Sequence, residues 1–419
     1  MAEGERQVRR RRVFHIPGYD PIHPRRYREL YRKEGAEQAR ISGYDLAIHA
    51  ARSDDSFRWT VAAETGGAKV DAQIDVLVWS DIVRGSMAQS IPATYLQLFR
   101  TAATYIGSGA LRRLMRMRKG PVIAALYPVV FLMGQLVIAV VAGLLLGRAI
   151  ERTGGGFLEG FIGADAAGWV AFLMGWTVFG LVVVVILDWF KSRDNKVFAY
   201  YLMHDYAFSA QSKGANPPAL EERMAAFGDQ IARALETDVD EVLVVGHSSG
   251  AHLAVSILAD LERQGRVPKE GPELALLTLG QVVPMVSFLP DAHRLRRDLR
   301  DLSTSDALTW VDVTAPGDGC CFALCDPVAV SGVALPETRW PLVLSAAFTQ
   351  TLSPEKWQAL RWRFFRLHFQ YLCAFDRPGD YDYFQITAGP RLLRDRFAGR
   401  APSQSRIAHR VSKYTSVAP

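Results

Sequence analysis

Short apolar runs alternate with helical periodicities along both ends of this chain, and two much longer apolar runs lie between them. Residues 242–245 are continuously aliphatic, as in a parallel strand that is buried on both faces. Leu253, Ile257 and Leu261 then recur at helical spacing. The same patterns predict strands at residues 13–16, 57–63, 74–79, 274–279 and 308–314, and a helix at residues 220–235. The expected fold class is therefore α/β, with a mostly parallel sheet and helices on both faces.

The two long apolar runs are predicted to be transmembrane helices. No charged residue lies between Pro121 and Gly147, and a second uncharged run covers residues 166–187. Each run exceeds the roughly 20 apolar residues that cross a bilayer. The predicted spans are about 122–147 and 166–190. Gly143 and Gly147, four residues apart, can pack the two helices closely or form a homodimer through them.

Basic residues flank the outer ends of this hairpin. Five precede it and three follow it: Arg112, Arg113, Arg116, Arg118, Lys119, Lys191, Arg193 and Lys196. By the positive-inside rule, both flanks, both termini and the soluble part face the cytoplasm, while the connecting loop at residues 151–160 lies on the other side. The expected location is a membrane, of the bacterial inner-membrane type, with the lipid bilayer as partner.

The hairpin divides the soluble part of the chain. We expect a basic arm at residues 1–11, the first part of one α/β domain at 12–110, the hairpin at 111–194, the second part at 195–395 and a disordered tail at 396–419. The run Arg9 to Arg12 is either a solvated arm or a contact for anionic lipid or nucleic acid, and the apolar runs favour lipid over nucleic acid. No apolar segment of signal-peptide type precedes residue 12.

Composition excludes several classes of protein. The chain has 419 residues, 49% of them hydrophobic, which is enough for one large core. Its net charge of +6 comes without any nucleic-acid motif, so no nucleic-acid partner is expected. The four cysteines lack paired zinc-site spacing and are expected to be reduced thiols. No metal and no cofactor are predicted.

The sequence Gly246-His-Ser248-Ser-Gly250 carries the candidate chemistry. It follows the buried run directly and opens the helical pattern, which is the arrangement of a nucleophile elbow. The two glycines are needed because a Cβ at either position would strike the neighbouring strand or helix. A serine in such a turn points its Oγ out of the sheet, near the N–H groups of a helix N-terminus. The alternative is a glycine-rich turn with an idle serine.

This segment resembles the α/β-hydrolase superfamily, in particular its lipases and esterases. The resemblance implies that the acid and then the histidine follow the serine along the chain. Among the histidines beyond any acid loop, His409 lies in a basic tail, so His368 is the better candidate. His368-Phe-Gln-Tyr371 is similar to the His-x-x-Tyr of several lipases. The alternative for His368 is a histidine on an amphipathic aromatic helix.

The acid is expected at the end of a strand between the serine and the histidine. Asp318 follows the break at Pro316-Gly317, where the strand at residues 308–314 ends. A carboxylate there can orient an imidazole and stabilise its protonated form. Asp326 is the second candidate, whereas Asp312 lies in the middle of the strand. Asp318 as a plain turn residue is the alternative.

The oxyanion hole is expected to use two backbone N–H groups. One belongs to Ser249, after the nucleophile, and the other to Tyr19, with Gly18 next to it, in the turn Pro17-Gly18-Tyr19 after the first strand. The prediction is thus a membrane-anchored serine hydrolase that cleaves a small-molecule or lipid-derived ester through Ser248, His368 and Asp318. The alternatives are a thioesterase or acyltransferase of the same fold, and an idle membrane-tethered scaffold.

Overall fold

The computed structural model describes residues 7–21, 23–50, 57–87, 90–194 and 199–419. Residues 1–6 of the predicted basic arm and the predicted flanking Lys196 lie outside these ranges. The chain divides into two compact units. The first contains residues 1–86, 103–122 and 209–419, and the second contains residues 87–102 and 123–208.

One eight-stranded sheet organises the first unit. Its strands are β1 (Arg10–Ile16), β2 (Asp45–Ala50), β3 (Phe57–Thr65), β4 (Ala68–Val76), β5 (Glu241–His247), β6 (Glu273–Leu279), β7 (Leu308–Thr314) and β8 (Leu342–Ser345). Their order in the sheet is β2-β3-β4-β1-β5-β6-β7-β8. The β2–β3 and β3–β4 pairs are antiparallel and the other pairs are parallel. The predicted mostly parallel α/β sheet is confirmed.

The sheet is buried on both faces in its centre because its strands carry apolar residues at successive positions. Leu243 and Val245 belong to one core cluster that also contains Tyr31 and Phe384, which lie in the helices Arg25–Ser42 and Tyr383–Ala388. Residues 242 and 244 are equally buried and, by strand alternation, point to the opposite face. The continuous aliphatic run of β5 therefore forms a central strand, as expected for parallel sheets.

Strand β1 joins the two sequence segments that form the sheet. It pairs with β4 on one side and with β5 on the other. At this joint the buried Arg11 and Glu241, 230 residues apart, form an ion pair of 2.6 Å. Arg11 also donates to the carbonyls of Gly389 (2.7 Å) and Arg391 (2.6 Å). Each of the three nitrogens of the buried guanidinium thus donates to an acceptor in a distant part of the chain.

Helices connect many of the strands in the first unit and form most of the second unit. They are α1 (Arg25–Ser42), α2 (Ser80–Ser86), α3 (Ile91–Gly107), α4 (Ala110–Met117), α5 (Lys119–Ile162), α6 (Ala164–Lys191), α7 (Ala199–Gln211), α8 (Pro218–Leu235), α9 (Gly250–Arg263), α10 (Val283–Ser287), α11 (His293–Ser303), α12 (Pro327–Ser331), α13 (Phe348–Thr351), α14 (Pro354–Leu360), α15 (Phe364–His368), α16 (Tyr383–Ala388) and α17 (Leu393–Arg396). A 3₁₀ turn at Gln370–Leu372 follows α15. Helix α9 packs against β5, α8 and α11, which fixes the helix that follows the candidate serine.

The second unit contains most of the two long helices, α5 with 44 residues and α6 with 28. Both are long and apolar enough to cross a membrane, judged by length and composition alone. Their packing uses small residues: a Cβ on Gly147 would lie 2.6 Å from the carbonyl oxygen of Gly175. Gly143 faces Phe179 in the same way. The two glycines therefore pack α5 against α6 within one chain, which is the first of the two alternatives for this motif.

Helix α5 extends through the segment that was predicted to be a loop. Residues 151–160, expected to connect the two spans, are helical and continue α5 to Ile162. The three consecutive glycines suggested a loop, but glycine lowers helix stability by only about 1 kcal/mol per residue. The unit boundary also differs from the expected domain boundary, since residues 90–102 belong with the long helices.

The C-terminal tail is ordered in the structure and not a free segment as predicted. Ser403 N–H donates to Val343 (2.9 Å) and Ile407 N–H to Leu324 (2.7 Å). Val411 N–H and Ser412 N–H both donate to the Val330 carbonyl, at 3.0 and 2.9 Å. These backbone hydrogen bonds hold a segment whose composition alone resembles a disordered tail.

Candidate active site

The predicted site residues follow the carboxyl ends of neighbouring parallel strands. Gly18 and Tyr19 follow β1, Ser248 follows β5, Asp318 follows β7, and His368 comes after β8. Because β1, β5, β6, β7 and β8 run in the same direction, these ends meet at one edge of the sheet. This edge is where open α/β sheets bind their ligands.

Ser248 occupies a strained and accessible turn. Its φ is +56°, in the left-handed region, which costs a residue other than glycine of order 1–3 kcal/mol. Of the described residues 241–259, only Ser248 is not buried. Strain at one partly exposed serine inside an otherwise buried segment is typical of a functional position.

Both glycines of the motif are required by close contacts. A Cβ on Gly246 would lie 2.7 Å from Ala251 Cα. A Cβ on Gly250 would overlap the Ile16 carbonyl oxygen. The sharp turn between β5 and α9 is therefore possible only with glycine at these two positions, as the sequence motif predicted.

The β1 turn approaches the serine from one side. A Cβ on Gly18 would lie 2.9 Å from Ser248 Cβ and 3.3 Å from its Oγ. The Tyr19 ring is anchored away from the turn, since its hydroxyl is 2.7 Å from Ser86 Oγ. Trp79 Nε1 donates to the Pro17 carbonyl at 3.0 Å. These contacts fix the turn whose N–H groups were predicted to face the substrate.

Backbone hydrogen bonds join the turns after β5 and β6 to the ends of the neighbouring strands β6 and β7. Ser248 N–H donates to Leu279 (2.9 Å), and Gly280 N–H donates to Val313 (3.0 Å). Gly280 has φ +54°, and a Cβ there would lie 3.1 Å from His368 Cε1. Ser248 and the His368 ring therefore border the same turn. Among the described residues no hydrogen bond joins Ser248 Oγ to His368. In enzymes that use a serine and a histidine together, this bond is often long or poorly aligned until substrate binds.

His368 and Asp318 form the strongest polar contact of the site. His368 Nδ1 is 2.7 Å from Asp318 Oδ2, and the carboxylate is completely buried. Asp318 Oδ1 accepts the N–H of Cys320 at 2.8 Å. Burial alone would raise the pKa of Asp318, but the His368 charge, the His368 hydrogen bond and the Cys320 N–H outweigh it and lower the pKa. The carboxylate is therefore ionised and fixes Nδ1 as the protonated ring nitrogen.

Tyr371 is a third donor to the same carboxylate. Its hydroxyl lies 3.1 Å from Asp318 Oδ2 and accepts the N–H of Ala315 at 2.9 Å. Burial, followed by the Asp318 charge, raises the pKa of Tyr371 well above its ordinary value, so the hydroxyl stays protonated. The His-x-x-Tyr spacing pointed to this residue without giving it a role.

His247 holds the backbone of the candidate histidine. Its Nε2 is 3.0 Å from the carbonyl oxygen of His368, and the two rings are 4.8 Å apart. Burial, followed by the His368 charge, lowers the pKa of His247 well below its ordinary value. His247 is therefore neutral and donates from Nε2, which positions the loop that carries His368.

The other acid and histidine candidates have different environments. Asp326 caps α12, with Oδ1 accepting the N–H groups of Val328 and Ala329, each at 3.0 Å. Asp312 lies within β7 and accepts the hydroxyl of Thr278 at 2.6 Å. His409 is exposed in the tail. Among the carboxylate candidates in the described chain, Asp318 alone pairs with His368.

Cys320 joins the site without having been predicted. One donor atom each from Asp318, Cys320 and His368 lies within 4.8 Å of the others. Sequence reasoning missed this cluster because it searched for paired cysteines, whereas the donors here come from two loops 50 residues apart. The sequence Asp318-Gly-Cys320, which begins with the candidate acid, could have indicated this cluster.

Comparison with known proteins adds no relative to this description: no protein-family model, no curated protein and no solved structure matches the chain.

Proposed function

We propose that the chain is a membrane-anchored serine hydrolase of α/β-hydrolase type that cleaves an ester by acyl transfer to Ser248. The observation that carries the proposal is the strained, partly exposed Ser248 at the same sheet edge as a buried His368–Asp318 pair. The chain order of serine, acid and histidine is that of α/β-hydrolases.

The proposed reaction uses each group for one step. His368 Nε2 takes the proton of Ser248 Oγ while the oxygen attacks the ester carbonyl, and Asp318 stabilises the imidazolium that forms. The N–H groups of Ser249 and of the turn containing Gly18 and Tyr19 stabilise the oxyanion. His368 then protonates the leaving alcohol, and water, activated by the same imidazole, releases the acyl group.

Two features favour an apolar acyl substrate. The two long apolar helices would hold the enzyme where lipid esters arrive by lateral diffusion. Aromatic rings also flank the acid loop, since a Cβ on Gly317 would lie 2.6 Å from Trp357 and one on Gly319 would lie 3.1 Å from Phe364. Phe364 is 46% exposed, so its ring faces solvent and can contact an acyl chain.

Active-site labelling tests the proposal. The full chain, purified in detergent, is expected to react with a fluorophosphonate, and Ser248→Ala is expected to lose both labelling and ester turnover, on the order of 10⁶ in kcat by analogy with other serine triads. Ser249→Ala is the matched control and should label normally, since Ser249 is assigned only a backbone N–H. Equal labelling of wild type and Ser248→Ala would refute the mechanism.

A further inference from the structure

We propose that Asp318, Cys320 and His368 form a binding site for Zn²⁺, and that the bound ion switches off the hydrolase. Metal binding follows from the cluster itself, whereas the inhibition rests on the proposed function.

The positions of the three donors suit a single small ion. One donor atom of each side chain lies within 4.8 Å of the others. Tetrahedral zinc with ligand distances of about 2.0–2.3 Å places its ligands roughly 3.3–3.6 Å apart, so small side-chain rotations are sufficient. The Cys320 N–H bond to Asp318 Oδ1, at 2.8 Å, keeps the thiol next to the carboxylate.

The types of donor select the metal. A thiolate, an imidazole and a carboxylate together suit Zn²⁺, whereas Mg²⁺ and Ca²⁺ prefer oxygen ligands only. Three protein ligands leave a fourth position for water. Cys320 is only partly buried and is not in a disulfide, so part of this residue faces solvent.

Groups behind the ligands are already in place. Tyr371 donates to the Asp318 carboxylate at 3.1 Å, and His247 holds the His368 carbonyl at 3.0 Å. Metal-binding carboxylates and histidines are commonly oriented by hydrogen bonds of this kind. The same contacts that orient the catalytic pair would therefore orient the metal ligands.

Zinc on one ring nitrogen of His368 blocks catalysis at the other. In the proposed enzyme, His368 carries its proton on Nδ1 and uses the lone pair of Nε2 to accept the Ser248 proton. When zinc binds Nδ1, the ring proton moves from Nδ1 to Nε2 by exchange with solvent, so the ring stays neutral, and the Cys320 thiol releases its proton to solvent. A protonated Nε2 has no lone pair for Ser248, so zinc abolishes general-base catalysis and does not merely obstruct the site.

Cobalt(II) chloride is the direct probe of the metal site. The full chain in detergent should bind one equivalent and develop a thiolate-to-cobalt charge-transfer band together with the intense d–d absorption of a four-coordinate ion. Zinc(II) chloride should remove both signals. Cys320→Ser should lose the charge-transfer band, whereas Cys373→Ser, which changes the other partly buried thiol, should keep it.

Fluorophosphonate labelling then tests inhibition. For each variant, the labelling rate with zinc is divided by the labelling rate without zinc. Wild type and Cys373→Ser should be inhibited at the same zinc concentration, and a chelator should restore labelling. Cys320→Ser should need more than about 100-fold more zinc, because it loses a direct ligand and loss of an outer hydrogen-bond partner already costs 10–100-fold in affinity.

The outcomes separate the two proposals. Absence of a sulfur-to-cobalt band in wild type, or inhibition of Cys320→Ser at the wild-type zinc concentration, overturns the metal site. A wild-type chain that never labels, even with chelator present, overturns the hydrolase, while the cobalt titration still decides on the metal site.

Discussion

Replacing Asp318 by asparagine tests the proposed relay most directly. Three donors point at the carboxylate: His368 Nδ1 at 2.7 Å, the Tyr371 hydroxyl at 3.1 Å and the Cys320 N–H at 2.8 Å. An asparagine can present its oxygen either to Cys320 or to the other two. Its amide nitrogen then faces the remaining donors, and the structure determines which orientation is preferred.

The orientation with the oxygen toward Cys320 satisfies every group. The amide NH₂ then donates to His368 Nδ1, which moves the ring proton to Nε2, and the Tyr371 hydroxyl can turn toward Cys321 Sγ, 3.5 Å away. The opposite orientation sets two buried donors against each other at Cys320, at a cost of about 1–3 kcal/mol. The preferred state therefore has the wrong histidine tautomer.

The expected loss in kcat for Asp318→Asn is on the order of 10⁴, or about 5.5 kcal/mol in activation free energy. The tautomer preference supplies about 1–3 kcal/mol of this, and the missing negative charge beside the imidazolium supplies the rest. Turnover of a p-nitrophenyl ester and the fluorophosphonate labelling rate both measure the loss. Unchanged intrinsic-fluorescence melting establishes that the variant is folded.

Asp326→Asn is the matched control. Asp326 caps α12 through two N–H groups, and asparagine is an equally good cap, so stability should change by less than about 0.5 kcal/mol and activity should stay near wild type. If Asp318→Asn keeps more than roughly a tenth of the wild-type rate, its carboxylate does not perform the assigned task. If Asp326→Asn is the more damaging change, the acid has been assigned to the wrong loop.

Two further predictions concern a buried acid and the membrane orientation. Burial raises the pKa of Asp312 from 3.8 to about 8, so the folded state binds a proton that the unfolded state releases, and wild-type stability should fall as pH rises from about 4 to about 8. Asp312→Asn should therefore gain in melting temperature relative to wild type over that interval and level off above it; a constant difference would contradict the assignment. Gly156 is exposed with no atom within 4 Å of an added Cβ, so Gly156→Cys should react with an impermeant thiol reagent in intact cells, whereas a cysteine placed in residues 402–419 should not. The reverse labelling pattern would place the catalytic unit outside.

The strands that the sequence predicted best are those with the strongest apolar pattern. Strand β7 was placed at its observed bounds, and β5 and β6 within two residues, because central parallel strands need apolar residues at nearly every position. Strand β2 was missed because it lies at the sheet edge, where none of residues 45–49 is fully buried and the apolar pattern is weak. Strand β8 has only four residues, too few to form a pattern.

The candidate site was predictable where one short segment carries the information. The turn around Ser248 needs its glycines for local steric reasons, so its sequence is diagnostic of its shape. The roles of Cys320, Tyr371 and Gly280 depend on how separate loops meet at the sheet edge. The arrangement of these loops is set by the strand order and by backbone hydrogen bonds, and the sequence pattern predicts neither.

The first half of the sheet is synthesised long before its partner strand. Strand β1 pairs with β5 only after a further 230 residues, including both long apolar helices, have been made. At a translation rate of about 5–20 residues per second, this interval lasts roughly 10–50 s. During it, β1 has an open edge that can pair with other chains, and Arg11 lacks the carboxylate that neutralises it. We therefore expect the nascent chain to depend on chaperones at this stage, and its yield in cells to depend on how quickly the two long apolar helices are shielded from water.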